Sequence, residues 1–62
     1  MIRYYLATYK NTETKETRMV VIKEDDIHTA SSNAARRARN WKHLHHETWD
    51  LIVVELMGEK HG

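Results

Sequence analysis

A chain of 62 residues holds one small domain at most. It has no cysteine and a net charge of +1, which excludes disulfide staples and thiolate metal sites and argues against a general polycation or an acidic nucleic-acid mimic. With 40% hydrophobic residues, two glycines and no proline, the composition is that of a folded domain. No charged-then-apolar leader or apolar run of ~20 residues is present, so a soluble, cytoplasmic protein without a membrane span is expected.

Residues 2–10, IRYYLATYK, alternate from side to side, with Ile2, Tyr4, Leu6 and Thr8 opposed to Arg3, Tyr5, Ala7 and Tyr9. That period predicts a strand. The polar segment NTETKET reads as a hairpin loop. Residues 17–23, TRMVVIK, are β-branched and apolar and predict a second strand. The period then changes: Ile27, Ala30, Ala34, Ala38, Trp41 and His45 recur at steps of three and four. This predicts a helix over about 27–45, N-capped by Asp26, or by Thr29 or Ser31 if it starts later. Acids precede it and bases end it, matching the helix dipole. TWDLIVVEL, residues 48–56, predicts a third strand, and residues 57–62 a frayed tail.

The expected fold is therefore a single α+β domain over residues 1–62. Its three-stranded antiparallel sheet runs β-β-α-β in the order 2-1-3, because a right-handed crossover lands strand three beside strand one. One helix can cover only one face. Every strand carries apolar residues on both sides, so the other face would leave tyrosines and aliphatics in water. Such a patch on a small protein marks an interface, unless the tyrosines merely shield a half-apolar surface. Tyr5, Tyr9, Met19 and Val21 are the expected contact residues on the uncovered face. Strand three, at a sheet edge, could also accept a strand from another chain.

The segment RRARNWKHLHHE, residues 36–47, is the densest in charge and rings. On a helix Arg36, Arg39, Asn40 and His43 align, with Arg37 nearer the core. Arg36, Arg39 and Lys42 could steer a partner by charge or contact phosphates. A solvated helix end that complements the dipole is the plainer account, and the balanced total charge does not favour a dedicated nucleic-acid domain. His43, His46 and Glu47 have the spacing of a partial zinc site, but no third ligand is fixed and the motif is not HEXXH. A structural role is expected for these histidines, with no metal and no cofactor. His45 is expected half-buried beside Trp49. There is no paired nucleophile and base and no glycine-rich phosphate loop, so catalysis is not expected.

The opening YYLAT, with Leu6, Ala7 and Thr8, and the Ala34, Ala38 and Trp41 spacing of the helix resemble small phage-encoded host-takeover proteins. The T7-type phage inhibitors of bacterial RNA polymerase are nearest in layout. Spacing and charge pattern differ between them, and no functional residue is carried over. The resemblance implies a stoichiometric binder of a larger host protein, such as the transcription machinery, acting in the host-cell cytoplasm. The leading expectation is thus a non-enzymatic protein-binding module of the phage-inhibitor kind. The alternative is a nucleic-acid-binding protein, possibly a homodimer, using the basic C-terminal half of its helix.

Overall fold

A computed structural model describes residues 2–59. Strands β1 (Arg3–Asn11) and β2 (Thr17–Glu24) form a hairpin, helix α1 (Ile27–His45) follows, and β3 (Trp49–Glu59) returns beside β1. The sheet is antiparallel throughout, in the order β2-β1-β3. This is the expected α+β arrangement.

The loops are set by polar side chains. The Asn11 side-chain oxygen accepts from the amides of Glu13 and Thr14, at 2.9 and 3.0 Å. Lys15 then takes a positive φ of 66°, and the Asn11 amide donates to the Glu16 carbonyl at 2.8 Å. An Asx turn followed by one left-handed residue closes the hairpin without glycine. Asp26 is the N-cap: its carboxylate accepts from the Thr29 amide at 2.8 Å. That bond holds the Asp26 carboxyl below its ordinary pKa. The helix ends at His46, left-handed at φ 56°, where a glycine would be usual.

β3 is longer than its apolar run predicts. Met57, Gly58 and Glu59 were expected in a frayed tail, yet they extend the strand, because Tyr4 and Arg3 supply the pairing partners for Gly58 and Glu59. The remainder of that expected tail, residues 60–62, lies outside the described residues. The register of β3 on β1 also shifts twice, leaving Ile52 and Met57 as extra residues. Each bulge reverses the side-to-side alternation. Leu51, Val54 and Leu56 therefore oppose Tyr9, Ala7 and Tyr5, while Val53 opposes Thr8.

The helix lies on the face formed by Tyr5, Ala7 and Tyr9. Those three are buried together with Ile22, Ala30, Ala34 and Trp49. Val20, Ala38, Trp41, Leu51 and Val54 close the margins. Alanine at 30 and 34 lets the helix backbone approach the sheet, and the fully buried Ala7 offers no bulk against it. Flanking the alanines, the Tyr9 hydroxyl donates to the Ala34 carbonyl at 2.8 Å. α1 leaves the end of β2, where the Asn33 amide donates to the Glu24 carboxylate at 3.0 Å. It ends over the start of β3, where the Trp41 ring meets Tyr9 and Trp49 edge-on at 4.7 and 5.8 Å. The Arg18 guanidinium caps this aromatic end, 4.2 Å from the Trp49 ring and 4.9 Å from Trp41. Glu47 ties it down, accepting from the Trp49 indole at 3.1 Å with Arg18 at 3.7 Å. Leu56, at the far end of β3, lies beyond this cover and is half-exposed.

Burial raises the Tyr9 pKa above its ordinary value of 10.0, against a smaller opposing pull from Arg37. Because the folded state holds the proton more tightly, this stability is complete below pH 10 and falls as pH rises through the folded pKa. Replacing Tyr9 with Phe is expected to cost about 1 kcal/mol through the lost hydrogen bond. The variant should also lose part of the alkaline decline in stability, which urea melts between neutral pH and pH ~11 would register.

Candidate functional site

The single helix leaves one face of the sheet uncovered. Its side chains follow from the register. Tyr4, Leu6, Thr8 and Lys10 of β1 stand opposite Lys23, Val21, Met19 and Thr17 of β2. On the other flank they meet Gly58, Glu55, Val53 and Asp50 of β3. Met19, Val21 and Val53 are 63, 53 and 41% exposed, and the bulge residue Ile52 is 58% exposed beside them. Tyr4, Leu6 and Thr8 fill the centre, half-buried. Lys10, Lys23, Asp50 and Glu55 are exposed around this apolar strip. No enclosed cavity occurs among the described residues.

Met19 and Val21 thus stand on the uncovered face, as the sequence suggested. Tyr5 and Tyr9 do not. They are 3 and 0% exposed, in the layer under the helix. The expected face assignment for β1 is reversed, because Ala7 lies between those tyrosines and admits the alanine face of the helix, whereas Leu6 would obstruct it. Polarity does not separate the faces: Thr8, Lys10, Thr17 and Lys23 belong to the open one, and Arg3, Asn11, Arg18 and Glu24 to the covered one. Ala7, weighed together with Ala30 and Ala34, was the available signal. Leu6, Ile52 and Val53 are the members of the strip that sequence reasoning missed. For Ile52 and Val53 the bulge decides, and no residue in LIVV announces it.

The opposite side of the molecule is basic. Between Ile27 and His45 the helix carries Arg36, Arg37, Arg39 and Lys42 and no Asp or Glu. Arg36, Arg39 and Lys42 are exposed, and among the described residues no carboxylate lies within ion-pair distance of them. Arg37 donates to the Asn33 side chain at 3.0 Å. The four helix cations give +4, so the rest of the chain, at a total of +1, carries −3. The three strands carry four cations and four carboxylates and are neutral in sum, so the positive charge sits on the helix layer and the acid excess in the connecting segments.

The histidines are dispersed. His45 is exposed, and the expected contact with Trp49 is made by Glu47 instead, because the left-handed turn at His46 carries the chain away from the helix before β3 begins. His43, His46 and Glu47 do not converge, and among the described residues no group of three or more His, Asp or Glu is placed to hold a metal ion. His61 lies outside the described residues. No described helix is long and apolar enough to cross a membrane. Comparison with known protein families, with characterised proteins and with solved structures finds no match.

Substitutions divide the two faces sharply. Met19→Ser, Val21→Thr and Val53→Thr are each expected to change stability by about 0.5 kcal/mol or less. Tyr5→Ser or Ile22→Ser should cost about 3 kcal/mol or more, enough to unfold a domain of this size. Circular dichroism melts of the five variants check this division.

Proposed function

We propose that this protein is a small binding module that docks a larger protein on the open face of its sheet, with no chemistry of its own. The observation that carries this is the strip of exposed Met19, Val21 and Val53 beside the half-buried Leu6, on a face that the single helix leaves bare. Keeping apolar side chains in water offers a monomer nothing, whereas their burial contributes about 25 cal/mol per Å² to an interface. The lysines and carboxylates around the strip suit a polar rim around a dry centre. Inhibition of a host protein in the phage manner is the finer form of this proposal, and it rests on the sequence resemblance.

The helix supports a second role. Its exposed cations, with no carboxylate in ion-pair distance among the described residues, form a positive surface on the side opposite the apolar strip. They would speed the approach of an acidic partner, and the same surface would bind nucleic acid in the alternative reading.

Capture from nuclease-treated cell extract with tagged wild-type and variant protein separates the two. The triple variant Met19→Ser/Val21→Ser/Val53→Ser is expected to stay folded and to lose the captured protein. Changing Arg36, Arg39 and Lys42 to Ala should slow association by about tenfold at low salt without abolishing it. A triple variant that captures the same protein as the wild type would sink the open-face assignment. Recovery of nucleic acid alone, released steeply by salt, would favour the helix surface.

A further inference from the structure

The two sheet edges differ. β3 is interrupted by bulges at Ile52 and Met57, and such irregularity discourages further strand pairing. β2 has no bulge against β1 and no proline over Thr17–Glu24. Its hydrogen-bonding direction follows from the hairpin closure. The Asn11 amide donates to the Glu16 carbonyl, so residues 16, 18, 20, 22 and 24 turn their backbone groups toward β1. Thr17, Met19, Val21 and Lys23 turn theirs outward, away from the sheet.

We infer that the β2 edge pairs antiparallel with β2 of a second copy of this chain, joining two sheets into one of six strands across a two-fold axis. Parity limits the registers. Thr17 opposite Glu24 would use all of β2, but it sets an outward-facing residue against an inward-facing one and cannot form the ladder. Two long registers remain. With Val20 on the axis, Arg18 meets Ile22 of the second copy and Glu16 meets Glu24. With Val21 on the axis, Arg18 meets Glu24, Val20 meets Ile22, Val21 meets itself, and the stem of Lys23 lies against Met19. Both registers set apolar residues against apolar ones, Met19 against Val21 in the first, but the first also sets Glu16 against Glu24 whereas the second gives two Arg–Glu pairs by symmetry, so charge complementarity selects it.

In this pairing Arg18 and Glu24 stand on the helix side and Met19 and Val21 on the open side, so the apolar strip of the two copies becomes continuous and remains uncovered. The inference is therefore independent of what docks there. It differs from a face-to-face dimer, which would bury the strip and leave the β2 amides in water.

Sedimentation equilibrium from micromolar to millimolar protein, with amide hydrogen exchange, tests it. The wild type is expected to approach twice the monomer mass, with the Met19, Val21 and Lys23 amides protected as concentration rises. Val21→Pro removes an amide that β1 does not use, so the monomer fold should survive and the dimer should be lost. Val21→Lys keeps that amide but sets two like charges on the axis; its dimer should be lost at low salt and partly restored at high salt. Val53→Lys, on the open face but on β3 and away from the β2 edge, should dimerise as the wild type does. A wild type that stays monomeric overturns the inference. So does a dimer whose edge amides exchange freely, or one that Val53→Lys breaks while Val21→Pro leaves it intact.

Discussion

The structure depends on one close approach, that of the alanine face of α1 to the Tyr5–Ala7–Tyr9 side of β1. Ala7, Ala30 and Ala34 are wholly buried, and small side chains alone allow a helix to lie so near a sheet. Aromatic residues then supply the bulk that the alanines lack. Tyr9 reaches the helix backbone through its hydroxyl, and Trp41 and Trp49 fill the end where helix and sheet diverge. Arg18 covers both indole rings from β2, joining the sheet edge to the helix C-terminus by cation–π contact. A chain without disulfides thus builds its core from a few large rings around a small-residue seam.

The functional consequence is geometric. One helix can satisfy one face, and this one takes the face where alanine lies between tyrosines. The other face, with Leu6, Met19, Val21 and Val53, stays open to a partner. Meanwhile the helix gathers its cations on the outer surface and leaves the acids to the sheet, the loops and the helix approach. The protein therefore has an apolar side and a basic side, back to back, and the two act at different ranges. Charge acts over about a Debye length, ~8 Å at physiological salt, and governs approach, whereas the apolar strip acts only on contact and governs retention.

Much of the fold was legible because period and punctuation agreed. The alanine spacing and the Asp26 cap gave the helix bounds, and the tyrosine-rich alternation gave β1. Strand order followed from chain connectivity and handedness. Face assignment was harder, since β1 places aromatics on both sides and tyrosine is content in a core or at an interface. Ala7 held the answer, read together with Ala30 and Ala34, but it requires the helix and strand to be weighed as one contact. The β3 bulges were not legible at all. In LIVV every residue is apolar, so a shift of one residue leaves the pattern unchanged. His45 and Glu47 exchanged roles because a left-handed residue at His46 is not announced by its side chain.

The measurement that bears most directly on the central claim is relaxation of methyl NMR signals by a soluble, inert gadolinium chelate. If the helix covers the Ala7 face, the methyls of Met19, Val21 and Val53 should be strongly broadened, and those of Ala7, Ile22, Ala30 and Ala34 should be nearly untouched. Protection of Met19 and Val21 with broadening of Ala7 and Ile22 would mean that the helix lies on the other face, and the proposed docking surface would be the core.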